Sequence, residues 1–282
     1  MPTSLKRRYP FRLATTSFIH PADYTVNVRR LAPLVDEIEL LFLERDHLPS
    51  VAEINELKEL SDTLDIGYNV HLPMDISLAD PSVSIRNRSQ DAILKALERV
   101  GPLNASTHTI HVTYREADNR PDTVAAWQNR AVGSLTRILQ RAPMMHKRLS
   151  VETLDFPPRY LSLIAHQLDL PVCVDVGHVI RFGFDLQETL NQFSGRIAIF
   201  HLHGVTGTRD HRALDHLPCE FRRMIIPLLK NFCGTVSLEV FSYPDLKDSL
   251  SCFAQMMTWN PGRIAEPPCR YDPNESTQSK KN

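Results

Sequence analysis

Short runs of apolar and β-branched residues alternate along the chain with longer stretches in which apolar positions recur every three or four residues. The first pattern predicts buried strands and the second amphipathic helices. Strands are expected at Phe11–Ser17, Glu37–Phe42, Ile66–Leu72, Thr109–Thr113, Leu149–Thr153, Val172–Asp175, Ile197–His203 and Thr235–Val240. Helices are expected around Val26–Val35, Val51–Leu64, Val83–Val100, Asp122–Arg141, Tyr160–Leu168, Leu186–Phe193, Phe221–Leu229 and Leu246–Met257, with polar loops at Pro73–Pro81 and Gly204–Pro218. Each strand is followed by a helix, as in βα units of a parallel sheet. Eight such units in about 250 residues match a closed (β/α)8 TIM barrel. An open doubly wound sheet is the alternative, and it normally carries a Gly-rich phosphate loop after its first strand. The chain has ten glycines and no GxGxxG or Walker pattern, so the barrel is preferred. One barrel domain is expected over residues 1–259. The tail 260–282, rich in Pro, Ser, Lys and Asn, reads as disordered and without chemistry.

Composition narrows the partners. Lys and Arg number 32 against 33 Asp and Glu, a net charge of -1, which is not the basic excess of a duplex-DNA binder. There is no run of 18 apolar residues to span a membrane, and the apolar stretch after the basic Met1–Pro10 is interrupted by Arg12 and Thr15 to Ser17, unlike a secretory signal. Five cysteines without CxxC spacing read as reduced thiols of a cytoplasmic protein. The expected partner is a small molecule, with neither nucleic acid nor membrane.

Histidine changes the picture. Most of the 12 fall near strand ends. Strand two carries Glu39, strand three ends in His71, strand four holds His111, and strand five ends in Glu152. Strand six ends in Asp175 with His178 following, strand seven holds His201 and His203, and strand eight holds Glu239. In a barrel these ends converge on one mouth, where active sites are built. Imidazole and carboxylate suit zinc, manganese or iron without any thiolate. Two or three clustered divalent ions can activate water and clamp a phosphodiester for in-line attack.

Each residue also has a plainer reading. His71 alone would be a satisfied core histidine, but His111 and Glu152 on the next strands turn it towards metal. Asp175-x-x-His178 reads as two ligands from one turn, or as a loop cap. His201 and His203 face one side of their strand, one as ligand and the other as its support or a substrate contact. Asp210 and His211 in the following loop read as ligands or as solvated surface. Glu39 is equally a structural partner for a basic residue or a substrate contact. Arg181 and Arg209 are candidate phosphate contacts, and Cys173 reads as a small core residue. Glu152, Asp175 and Glu239 are the candidate catalytic carboxylates.

This ordered set resembles the xylose isomerase-like barrels and, within them, the endonuclease IV (AP endonuclease type 2) superfamily, whose members hold up to three zinc ions. The resemblance implies that His71, His111 and Glu152 hold one ion. It implies that Glu152, Asp175, Glu239 and a strand-seven histidine hold a second, and that His178, Asp210 and His211 hold a third. The endonucleases carry Asp-x-His where Asp210 and His211 are adjacent here. Three segments are similar to cobamide-remodeling phosphodiesterases of the same superfamily: FRLATTSFIHPAD (Phe11–Asp23), IELLFLE (Ile38–Glu44) and YNVHLPMD (Tyr68–Asp75). That resemblance implies hydrolysis of the phosphoribosyl linkage in a cobamide's nucleotide loop, giving a cobinamide phosphate and an α-riboside. A single-ion sugar isomerase or epimerase of the same barrel class is the alternative. A non-catalytic binder that kept the barrel is the third.

Overall fold

A computed structural model describes residues 4–258, arranged as β1 (Arg12–Thr16), α1 (Tyr24–Leu31), β2 (Glu37–Leu41), α2 (Val51–Leu64), β3 (Gly67–His71), α3 (Val83–Val100), β4 (His108–Ile110) and α4 (Pro121–Arg141). The chain continues through β5 (Leu149–Glu152), α5 (Pro158–Gln167), β6 (Val172–Asp175), α6 (Val176–Arg181), α7 (Leu186–Gln192) and β7 (Ile197–Leu202). A hairpin of β8 (Gly204–Thr206) and β9 (Arg209–Arg212) follows, then α8 (Cys219–Leu229), β10 (Thr235–Leu238) and α9 (Tyr243–Thr258). Eight of the strands close into a parallel barrel in the order β1-β10-β7-β6-β5-β4-β3-β2. The expected tail at 260–282 lies outside the described residues.

Two faces of each strand are buried for different reasons. Ile38, Leu40, Tyr68, Val70, Val151, Val174, Phe200, Leu202, Val236 and Leu238 are buried and alternate with a second set. The Tyr68 hydroxyl donates to the Leu57 carbonyl of α2 at 2.7 Å, so this apolar face meets the helices. α2 answers with Ile54, Leu57 and Leu60, and starts on a capping box in which Ser50 and Glu53 bond each other's backbone.

The inner face is polar. Glu37, Glu39, Asn69, His71, Ser150, Glu152, Asp175, His201 and Ser237 are all buried there. Bulky branched residues fill most barrels of this kind. Contacts across the lumen show that the polar side chains point inward: Thr235 donates to Glu37 at 3.0 Å, and Ser237 donates to Glu39. Near the barrel floor Glu37 is paired to Arg12 at 2.6 Å. Burial raises its pKa, while Arg12, Ser106, Thr235 and Asn69 pull it back.

Three elements differ from expectation. β4 starts at His108 and ends at Ile110, so His111 lies one residue beyond the strand rather than inside it. β6 runs without a loop into a helix, α6, that has too few apolar repeats to be read from periodicity. The polar stretch Gly204–Pro218, expected as loop, holds the β8–β9 hairpin. No helix among the described residues is long and apolar enough to cross a membrane, and the described cysteines are free thiols.

His108 shares the outer face of β4 with Ile110. Burial, with Arg148 nearby, lowers its pKa from 6.5 to about 4. Between those values the unfolded chain binds a proton that the folded chain refuses. Stability therefore falls as pH drops from about 6.5 towards about 4, by on the order of 3 kcal/mol from this residue. Urea unfolding of wild type and His108→Leu between pH 7 and pH 4.5 should show a shallower acid loss in the variant. Equal acid losses would contradict the assignment.

Candidate metal centre

Closing the barrel brings the ends of β3, β4 and β5 side by side, and with them the first group. His71 Nε2 and His111 Nε2 lie 3.1 Å apart, and each faces Glu152 Oε2, at 3.1 and 2.8 Å. His71 Nδ1 lies 3.0 Å from the Leu72 carbonyl. A proton on Nδ1 would donate to that carbonyl and leave the Nε2 lone pair pointing inward. Burial would lower the His71 pKa, but the carboxylates of Glu152, Glu39 and Glu239 outweigh it and raise it. At His111 burial and the neighbouring imidazoles win over Glu152, and the pKa falls.

The second group centres on His201, fully buried near the end of β7. Its Nδ1 lies 3.0 Å from Glu239 Oε2, 3.3 Å from Glu152 Oε1 and 3.8 Å from Asp175 Oδ2. Burial would raise the Glu152 and Glu239 carboxyls, yet the imidazoles beside them (His111 and His201 at the first, His201 and His211 at the second) hold both well below the usual range. Burial would depress His201, and the surrounding acidic groups push it well above 6.5 instead. Glu152 Oε1, His201 Nδ1 and Glu239 Oε2 are buried without a hydrogen-bond partner among the described residues, despite their proximity. Their lone pairs are close but not aimed at each other's protons. Buried polar atoms left in that state are costly, and a divalent cation would satisfy all three at once. The donor atoms of Glu152, Asp175, His201 and Glu239 all lie within 4.8 Å of one another, so the residues fit such an ion.

The third group joins His178, His203 and His211. Asp175 caps α6 by accepting the His178 backbone N–H at 2.7 Å, which fixes His178 above the β6 end. The Asp-x-x-His spacing is thus both cap and candidate ligand pair. His203, one residue past β7, packs its ring on His211 at 4.2 Å. Its Nε2 is 3.0 Å from Asp175 Oδ1, and its Nδ1 lies 3.0 Å from the His211 backbone nitrogen and 3.2 Å from the Gly204 carbonyl oxygen. Burial lowers the His203 pKa, and Asp175 more than restores it, to about 9. With both its nitrogens engaged, His203 ties Asp175 to the hairpin, while His178 and His211 present the freer imidazoles. His211 takes a left-handed backbone, φ 53°, a costly conformation for a side chain other than glycine and one that tends to persist at functional sites.

The end of β7 thus sends its two histidines into different groups: His201 into the second and His203 into the third. Asp210 lies beside His178 and His211 without a hydrogen bond to either ring. It lies 3.9 Å from each imidazole and is ion-paired to Arg181. Burial would raise its pKa, but His211 and Arg181 lower it. Arg181 makes that pair from a partly exposed position at the same edge. Arg209 is exposed on β9. Glu39, expected at the rim, is fully buried beneath His201 and does not reach the mouth. Cys173 lies within 4.8 Å of Glu152 and His201, and burial pushes its thiol pKa up. The neighbour relation of His203 was not legible from the strand register. The adjacent His201-Leu202-His203 spacing was the only signal.

Imidazoles and carboxylates held at the C-terminal mouth of a parallel eight-stranded barrel define the class. The chain belongs to the xylose isomerase-like TIM barrel family, whose family model matches residues 34–256. Among solved structures it is similar to a D-tagatose 3-epimerase-like protein (TM-score 0.76, 19% identity, 88% of this chain and 97% of that one). It is also similar to a Thermus thermophilus protein soaked with zinc chloride (TM-score 0.70, 22% identity, 90% and 100%). A third similar structure is endonuclease IV from the same organism (TM-score 0.68, 15% identity, 87% and 98%). No curated protein matches the sequence significantly.

Gly177 is needed for this packing. A Cβ there would lie 2.0 Å from the His203 ring. Gly177→Ala changes the identity of no candidate ligand but must displace the His203 ring, and with it the contact to Asp175. It should cost roughly 1–3 kcal/mol and lower the number of bound ions per chain, read by thermal unfolding and elemental analysis. Wild-type metal content and stability in this variant would contradict the packing.

Proposed function

We propose that this protein is a metal-dependent phosphodiesterase of the cytoplasm that hydrolyses the phosphoribosyl linkage in the nucleotide loop of cobamides such as cobalamin. The products are a cobinamide phosphate and an α-riboside, and the role is cobamide remodeling or salvage. The observation that carries the reading is the overlap of donor groups. Glu152 serves both the His71/His111 group and the Asp175/His201/Glu239 group, and His178 and His211 lie beside them. That is more ligand than one ion uses, and two or three ions suit phosphoryl transfer. The three segments similar to cobamide-remodeling enzymes supply the substrate.

His71, His111, Glu152, Asp175, His201 and Glu239 would hold two ions, zinc first among the candidates, with manganese or iron(II) also suited. His178 and His211 would hold or face a third. Such ions supply Lewis acidity, making water ionisable near neutral pH and neutralising phosphoryl charge. Water adds across one P–O bond, so the phosphate stays with the cobinamide and the riboside leaves as a free hydroxyl. Glu152, Asp175 and Glu239 are the catalytic carboxylates: they would hold the ions and orient the attacking water. His71, Glu152, Asp175 and His201 form the closed floor, while His111, His178 and His211 keep 15%, 14% and 20% of their side chains exposed. Substrate therefore enters over those imidazoles. Exposed Phe182 and Phe241 flank that edge, their rings 6.2 Å from His178 and 4.8 Å from His211. Apolar walls beside the ions suit a large substrate with aromatic and apolar surface.

A sugar epimerase is the second reading, because Glu152, Asp175, His201 and Glu239 would hold a single ion by themselves. Metal stoichiometry separates the two. The purified protein should carry two or three divalent ions per chain and convert cobalamin to cobinamide phosphate and α-riboside, followed by chromatography. Glu152→Gln should lower turnover by roughly 10²–10⁴-fold and release an ion. One ion per chain with no loss of the lower-ligand riboside would overturn the hydrolase reading.

A further inference from the structure

We infer that Glu39 is a positioning residue that orients His201 towards the ion site, through a buried carboxylate–imidazole pair running down into the barrel. This rests on the metal-site reading above. Glu39 sits on β2, separated from β7 by β1 and β10. It reaches His201 through the lumen, with Oε1 3.0 Å from His201 Nε2. Both residues are completely buried. Neither Glu39 Oε1 nor His201 Nε2 makes a well-aligned hydrogen bond to any described residue, so what joins them is a close, water-excluded approach of carboxylate and imidazole. The other Glu39 oxygen is held by the Ser237 hydroxyl of β10. Ser237 pairs with His201 in the strand register, so clamp and imidazole move together.

The other side of the ring is already committed. His201 Nδ1 faces Glu152, Asp175 and Glu239. An imidazole has two nitrogens, and the one that holds a cation must be unprotonated. A carboxylate at Nε2 keeps the proton there, leaves the Nδ1 lone pair for the cation, and makes that lone pair more basic. Histidines that hold metals characteristically donate their other N–H in this way, and losing the acceptor typically weakens metal binding by 10–100-fold. A purely structural carboxylate has a ready comparison in the same lumen. Glu37 is also buried on β2 with hydrogen bonds to Thr235 and Ser106, but it pairs with Arg12 and meets no candidate ligand.

The test measures zinc affinity of the folded full chain by competition with a chromophoric chelator, together with thermal unfolding. Wild type, Glu39→Gln, Glu39→Ala and the comparison variant Glu37→Gln are measured in parallel. Glu39→Ala should weaken the tightest-held zinc by about 10–100-fold, Glu39→Gln by less because an acceptor remains. Cobalt-substituted protein should show an altered visible spectrum in the same two variants. Glu37→Gln should lower the melting temperature without changing zinc affinity or spectrum. If Glu39→Ala does not fold, the nearly isosteric Glu39→Gln still decides. Unchanged zinc affinity and cobalt spectrum in the Glu39 variants, or an equal loss in Glu37→Gln, would overturn the assignment while leaving the metal reading intact. Wild-type protein that binds no zinc would overturn both.

Discussion

Four buried carboxylates crowd one buried imidazole. Glu39, Glu152, Asp175 and Glu239 all lie within 3.8 Å of a ring nitrogen of His201. Even a fully protonated His201 could balance only one ionised carboxylate. Like charges so close and so deeply buried repel strongly, and desolvation penalises each of them. The neighbouring imidazoles hold Glu152 and Glu239 in the charged form rather than letting them protonate. The rest of the mouth follows from the need to balance that charge. Divalent cations do so with the fewest atoms, whereas hydrogen bonds alone leave Glu152 Oε1, His201 Nδ1 and Glu239 Oε2 unsatisfied.

The barrel tolerates this because its two buried faces divide the work. The outer faces of the strands supply apolar contact with the helices, which stabilises the fold independently of the mouth. The inner face is then available for polar side chains that a usual barrel lumen would not hold. Small elements set the fine geometry. Asp175 ends a strand and caps a helix in one residue, so His178 has little freedom. The hairpin folds His211 onto His203 and at the same time draws Asp210 to Arg181. That second contact ties a candidate ligand to a candidate phosphate contact.

Much of this was legible in the primary structure. The alternation of short apolar runs with helical periodicity gives eight βα units, and the barrel follows because parallel strands with helical crossovers bury both faces of the sheet. The residue types at strand ends also stand out, since buried His, Glu and Asp have no place in an apolar strand without partners. His71, His111, Glu152, Asp175, His201 and Glu239 converge as that argument requires.

Strand periodicity says only which way a side chain points, not what lies opposite once the sheet closes. The split of His201 and His203 between two groups, the pairing of Asp210 with Arg181, and the burial of Glu39 under His201 all depend on closure. Each pairs residues from distant parts of the chain. Sequence alone determined the fold class and the chemical identity of the mouth, because both follow from local patterns of polarity. Tertiary structure decided which atoms share a centre, because distances across a closed barrel are set by register and strand order rather than by neighbours along the chain.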